Sequence, residues 1–302
     1  MPAESSGCSS CDSQDCSAKS RRPEEPLEAF LERQKLAERL CRVKHKVMVL
    51  SGKGGVGKST VAANLAAALA AEGKRVGVLD VDFHGPSIPR LLGVRGGPGR
   101  VTEDGSIVPF EAAGGLKVMS VGLLLSDSEG AVIWRGPLKM NVIKQLLRDV
   151  DWGELDCLVV DSPPGTGDEP LSVAQLIPGA DGALLVTTPQ AISAADVRRS
   201  VSFCKQVKLP ILGILENMSG FICPHCGKES HLFKQGGGEA LAAETGVPFL
   251  GKVPIDPQVV SASDEGTPFV VSQPESAAAR AFAAAVEPVR ALIERDPEPK
   301  GA

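Results

Sequence analysis

From Lys46 onward the chain repeats one pattern: a run of consecutive apolar residues, a Gly- or Pro-rich turn, then an Ala-rich or amphipathic stretch of helical length. The runs KVMVLS (46–51), RVGVLDVD (75–82), LKVMSVG (116–122), CLVVDS (157–162), GALLVTT (182–188), ILGILEN (211–217) and FLGKVP (249–254) predict strands. They are apolar on both faces and alternate with helices, which predicts a mainly parallel sheet covered on each side, an α/β fold of three layers. Upstream, Leu27, Phe30, Leu31, Leu36 and Leu40 stand at helical spacing and predict a short N-terminal helix within 27–45. Residues 1–26 are rich in Ser, Asp and Pro with almost no large apolar side chain, so they read as a flexible arm that cannot offset its own folding entropy. The expected organisation is therefore arm 1–26, helix 27–45, one domain over 46–292 and a polar tail over 293–302.

Composition narrows the class. With 302 residues, 43% hydrophobic and 23% charged, the chain is an ordinary globular one. A net charge of −5 and 4% aromatics without tyrosine argue against a body that coats nucleic acid. No apolar run reaches 18 residues and the N-terminus has no apolar signal segment, so neither a membrane partner nor secretion is expected and the location reads as cytoplasmic. In such a reducing compartment the eight cysteines are expected to be metal ligands, reactive thiols or core fillers.

The segment LSGKGGVGKST (50–60) follows a strand, precedes the helix TVAANLAAALAAE, and contains G-x-x-x-x-G-K-S. That is the context in which this motif holds nucleoside triphosphate phosphates. Gly52, Gly54, Gly55, Val56 and Gly57 offer inward-turned amides, Lys58 reaches the β- and γ-phosphates, and Ser59 and Thr60 open the helix, with Ser59 placed to hold magnesium. Asp161 ends the run CLVVD and is the expected carboxylate behind that magnesium. Beyond it PPGTGD forms a loop whose Gly165 backbone can sense the γ-phosphate. Asp80 and Asp82 end RVGVLDVD in the crevice where α/β proteins bind ligands; Asp80 reads as a turn cap.

A second lysine, Lys53, makes the loop K-G-G-x-G-K-S. The chain here resembles the dimerising ATPases with a deviant P-loop: the nitrogenase iron protein, the septum-positioning and plasmid-partition ATPases, the arsenite pump ATPase and the Mrp-type iron-sulfur carriers. The resemblance implies a homodimer in which Lys53 reaches the partner's nucleotide, Asp82 acting on the attacking water, and Asn217 meeting the base of ATP. Lys53, Lys58 and Asp82 are accordingly the expected catalytic residues.

GFICPHCGKES (220–230) holds Cys223 and Cys226 as one Cys-x-x-Cys, half of a four-ligand site. In a two-fold dimer the same pair recurs across the axis and makes four thiolates, which suit zinc or a bridging 4Fe-4S cluster. An intrachain zinc knuckle with His225 and His231 is the alternative. The segments DVDFHGPSIPRLLG, WRGPLKMNVIKQLL, DSPPGTGDE and GILENMSGFICPHCG follow in the order of the Mrp-type carriers and cover roughly 47–270. That resemblance implies ATP hydrolysis, a 4Fe-4S cargo, a cluster donor and apo-protein clients. A zinc-bridged targeting ATPase or a positioning ATPase would want long apolar insertions or a basic amphipathic helix instead, and the sequence has neither. Cys8, Cys11 and Cys16 sit in the arm, where packing cannot explain them, and are the expected ligands of a second cluster, with Cys41 as one source of a fourth thiolate.

Overall fold

The structure is a computed structural model and describes residues 20–97, 99–124, 136–177, 179–223, 226 and 228–295. Its strands are β1 (Val43–Ser51), β2 (Val76–Asp80), β3 (Phe110–Ala112), β4 (Leu116–Ser120), β5 (Leu155–Asp161), β6 (Gly182–Thr187), β7 (Ile211–Ile222), β8 (Glu229–Ser230) and β9 (Phe249–Ile255). Its helices are α1 (Leu27–Cys41), α2 (Lys58–Ala71), α3 (Ile88–Leu91), α4 (Gly136–Asp149), α5 (Asp168–Leu176), α6 (Ala191–Gln206), α7 (Gly237–Thr245), α8 (Pro257–Glu265), α9 (Phe269–Ser272) and α10 (Ala277–Ile293). The sheet runs β3-β4-β2-β5-β1-β6-β7-β8, with β9 also on β7. Among the strands of the described residues, β3 and β8, two short edge pieces, pair antiparallel and the rest pair parallel.

The three predicted layers follow from alternation within apolar runs. Val47 and Val49 of β1 point into one core, with Leu65 and Ala66 of α2 and Phe282 and Val286 of α10. Met48 and Leu50 point into the other, with Ile143 of α4, Val201 of α6 and Leu241 of α7. Because successive strand side chains face opposite sides, a strand buried on both faces must be apolar throughout, which is the signal the sequence carries.

Three boundaries differ from expectation by more than two residues. Residues 43–45, expected in the N-terminal helix, belong to β1: Val43 pairs with Leu155 and His45 with Cys157. The polar residues Lys44 and His45 hid the strand. His45 is buried, and its ring bridges Asp181 Oδ1 at 3.0 Å and the Arg295 carbonyl at 2.9 Å. That second contact also corrects the tail, since Ile293 is buried and residues 293–295 join the body. The third is β7, which runs to Ile222, past the expected end at 217, through left-handed backbone at Met218 (φ 56°) and Gly220 (φ 81°).

The apolar stripe of α1 is only partly used: Leu40 is buried but Leu27 and Leu31 are exposed. Ion pairs fasten the helix instead, Lys35 to Asp149, Arg39 to Asp151 and Glu32 to Arg148, all at 2.8–3.0 Å against the end of α4 and the segment that follows it.

Cys157 and Cys204 lie in the two cores, and burial pushes both thiols up, Cys204 to about 12. A thiol held protonated and covered does not alkylate. Native protein treated with iodoacetamide at pH 8 should therefore carry label on the exposed Cys226 and none on Cys157 or Cys204 until denaturant is added. Label on Cys157 before unfolding would contradict the packing of β5.

Candidate functional site

The site forms at the C-terminal ends of β1, β2 and β5, which lie side by side in the middle of the sheet. Chain leaving β1 turns through the P-loop, with Gly55 (φ 78°) and Gly57 (φ 82°) in left-handed conformation, before α2 starts at Lys58. Added Cβ atoms at Gly54 and Gly55 would meet nothing within 4 Å, so this stretch of backbone borders open space. At Gly57 a Cβ would come within 2.2 Å of Asn217 Nδ2, and at Gly52 within 2.4 Å of the Asp196 backbone on α6. Neighbours require glycine at both positions, and at Gly57 the left-handed backbone requires it as well.

The cleft beside this loop has a volume of about 370 Å³ and is walled by Lys53, Gly54, Lys58, Ser59, Asp82 and Pro164 among others. A larger groove of about 930 Å³ runs between α3 and the end of α8, lined by Arg90, Arg95, Leu123 and Asp264. It contains no P-loop residue; the concentration of buried charge belongs to the smaller cleft.

Lys58 has a side chain only 6% exposed. Its Nζ donates to Asp161 Oδ1 at 2.6 Å and lies 3.3 Å from Asp82 Oδ2. Burial works against the ammonium, but the charges of Asp161 and Asp82 outweigh it and hold the Lys58 pKa above its ordinary value. Ser59 Oγ donates to Asp161 Oδ2 at 2.5 Å. Burial pushes the Asp161 carboxyl up, against the pull of Lys58 and Ser59. Hydroxyl and carboxylate thus stand together as a hard-oxygen donor set that fits magnesium. Asp80, beneath them, is fully buried and accepts from the amides of Asp82 (3.1 Å) and Ile88 (3.3 Å) and from Ser120 Oγ (2.9 Å), the turn-capping role expected of it. Burial and the nearby Asp161 charge raise its pKa to about 8.

The loop after β5 touches the last residue of β1, where the P-loop begins: the Gly165 amide donates to the Ser51 carbonyl at 2.8 Å. Lys53, half-buried at the rim, has Nζ 3.5 Å from Gln190 Oε1. Asn217, expected at a nucleotide base, spends one amide proton on the P-loop, donating to the Val56 carbonyl at 2.9 Å. The same strand, β7, then leads to Cys223. Its amide donates to the Lys228 carbonyl at 3.0 Å and closes the base of the connection that holds the exposed Cys226. Ile222, Leu232 and Phe233 beside it are exposed apolar side chains. Buried Glu216 anchors the hairpin root, accepting from Ser219 Oγ and from the Gly238 amide at the start of α7, both at 2.6 Å.

The chain matches the family model described as NUBPL iron-transfer P-loop NTPase over residues 42–290. The chain belongs to that family. It is 53% identical over 237 residues to an iron-sulfur cluster carrier protein of Methanocaldococcus jannaschii, covering 78% of this chain and 81% of the relative. A protein of the same name from Saccharolobus solfataricus is 47% identical over 260 residues, covering 86% and 88%. Among solved structures, a nucleotide-binding protein of Archaeoglobus fulgidus in complex with ADP aligns with a TM-score of 0.70 at 42% identity, over 78% of this chain and 92% of that one. The cell division ATPase MinD of Pyrococcus furiosus shares the fold at a TM-score of 0.60 and 27% identity, over 83% and 100%.

In this NUBPL-type NTPase the structure gathers Lys58, Ser59, Asp82 and Asp161 at one point and sets Lys53 on the rim. Cys8, Cys11, Cys16 and His225 lie outside the described residues. His231 is exposed, its Nδ1 3.7 Å from Glu229 Oε1. Among the described residues no three His, Cys, Asp or Glu side chains cluster as a metal site, so Cys223 and Cys226 would need ligands from beyond those residues. Sequence reasoning missed Asp196 under Gly52, Glu216 at the hairpin root, and a cluster beside the cleft in which buried Lys139 meets half-buried Glu169 and exposed His84. His84 and Lys139 stand in quoted motifs, but no local spacing announces their pairing.

Asp80 offers a pH test. Its folded pKa lies above the unfolded carboxylate value, so between about pH 4 and about 8 the folded chain keeps a proton that the unfolded chain has lost. Stability from this group is complete below that window and is lost as pH rises through it. Melting temperature should fall from pH 5 to pH 8, and Asp80→Asn should make the decline shallower; an unchanged slope would show that Asp80 is ionised throughout.

Proposed function

We propose that this chain is an ATP-dependent iron-sulfur cluster carrier: a cytoplasmic homodimer that holds a 4Fe-4S cluster between two Cys223/Cys226 pairs and passes it to apo-proteins. The observation that carries the reading is the placement of half-buried Cys223 and exposed Cys226 directly after β7, the strand whose Asn217 holds the P-loop carbonyl of Val56. The names of the archaeal relatives support the cargo, and the ADP complex of the Archaeoglobus protein supports the nucleotide.

ATP phosphates would lie along the amides from Gly54 to Thr60, where they share the Lys58 ammonium with Asp161 and Asp82. Magnesium on Ser59, backed by Asp161, would neutralise charge between the β- and γ-phosphates. Asp82, two residues beyond β2 and close to Lys58, orients the attacking water, and Lys53 crosses to the partner's nucleotide. The Gly165–Ser51 contact makes the loop after β5 responsive to what fills the P-loop. Release of the cargo is thiolate exchange: each bond from iron to Cys223 or Cys226 is replaced by one to a client cysteine, with no electron transferred. A cluster donor reloads the pair. Cys8, Cys11 and Cys16 would hold a second cluster, with Cys41, exposed at the end of α1, as a further thiolate source.

Anaerobic reconstitution with iron and sulfide tests the reading. A variant with Cys8, Cys11 and Cys16 changed to alanine should bind about four irons per dimer, and adding Cys223→Ala should abolish this while ATP still binds. Lys58→Ala should do the reverse. Stoichiometric zinc without iron uptake would favour a zinc-bridged targeting ATPase, and unfolding of Cys223→Ala would favour an intrachain knuckle.

A further inference from the structure

The loops that flank the nucleotide cleft converge on one side chain outside it. Lys139, in the first turn of α4, is 8% exposed. Its Nζ lies 2.5 Å from Glu169 Oε1 and 3.3 Å from His84 Nε2, and 5.6 Å from the centroid of the Phe83 ring. His84 Nε2, on a ring exposed to solvent, is itself 3.3 Å from Glu169 Oε1; this nitrogen accepts from Lys139 or donates to Glu169, and either way His84 is linked to the ion pair. Glu169 stands in the first turn of α5, directly behind the loop that follows Asp161. Phe83 and His84 directly follow Asp82, and the His84 amide donates to Asp82 Oδ1 at 3.2 Å. Lysine is rarely buried unless something pairs it, and a buried ammonium stripped of its carboxylate is strongly unfavourable. The Lys139–Glu169 contact therefore constrains geometry in a way that an exposed ion pair does not, and the Phe83 ring and His84 join it from the solvent side.

We propose that Lys139 is a positioning residue for nucleotide hydrolysis. It ties the Phe83–His84 segment to the start of α5, so that Asp82 and the loop after Asp161 move as one body. The proposal rests on the reading of this chain as an ATPase. Nucleotide binding depends on the amides from Gly54 to Thr60 and on Lys58, none of which touches Lys139 through a hydrogen bond or ion pair in the structure. Loss of the tether should leave binding intact and loosen Asp82, and displacement of a reacting group by about 1 Å can slow a reaction about a hundredfold. Turnover and affinity should thus separate.

Full-length protein carrying Lys139→Met keeps the apolar stem and removes the charge; Glu169→Gln removes the charge from the other side; Lys139→Arg keeps it. We expect Lys139→Met and Glu169→Gln to lower kcat about tenfold or more with ATP Kd and KM changed less than about twofold, and Lys139→Arg to recover most of the rate. Wild-type kcat in both charge-removing variants overturns the proposal. So does a parallel loss of kcat, nucleotide affinity and Tm, which would mark a purely structural contact. Absence of hydrolysis by the wild type would refute the ATPase reading alone, and hydrogen exchange then decides the tether. On adding ATP and magnesium, amides of 83–85 and 165–169 should gain protection together in the wild type and separately in Lys139→Met. Independent responses in the wild type overturn it.

Discussion

The contact between Lys58 and Asp161 is the constraint around which the rest of the molecule is arranged. It joins the first residue of α2 to the last residue of β5 inside the protein, at 2.6 Å, with Asp82 from the β2 side completing the enclosure. A buried ammonium is tolerable only where carboxylates surround it. Three segments far apart in sequence must therefore end at one point. A parallel sheet with β1 between β5 and β6, and β2 next to β5, brings three strand ends to that point.

Around this centre the packing is set for close approach. The core face of α2 is made largely of alanine, with Ala62, Ala63, Ala66 and Ala70 all buried, which lets the helix lie near β1 and β2 and holds Lys58 at a fixed height. On the opposite face, α6 comes so near that Gly52 admits no side chain against Asp196. The P-loop is thereby held from both sides of the sheet, while Gly54 and Gly55 remain open toward the cleft. Rigid support and an accessible amide surface are what a preorganised phosphate cradle needs.

Much of this was legible because the signals are local. Seven apolar runs became seven strands of the sheet, and the motif from Gly52 to Thr60 states its own conformation through glycine spacing. What escaped were features whose partners lie elsewhere. His45 looked like loop or helix because its burial depends on Asp181, 136 residues away, and on the Arg295 carbonyl. Lys139 sits 30 and 55 residues from Glu169 and His84, with no periodicity to connect them. The extension of β7 beyond Asn217 was hidden by Met218 and Gly220, whose left-handed backbone interrupts a strand pattern without ending the strand. In each case the deciding force is a tertiary hydrogen bond or a backbone conformation, which single-chain patterning does not encode.

The continuity of β7 also sets a limit on how this sequence can change length. Surface connections such as the one between α2 and β2, where Gly73 faces open space, can gain or lose residues at modest entropic cost. The stretch from Asn217 to Cys223 cannot, because Asn217 is registered on Val56 at one end and Phe221 is paired with Ser230 and Ile255 at the other. One residue more or fewer would turn every later side chain to the opposite side of the ribbon. The distance and facing of the cysteines relative to the P-loop are thus a fixed gauge, and indels should be accepted everywhere around this segment before they are accepted within it.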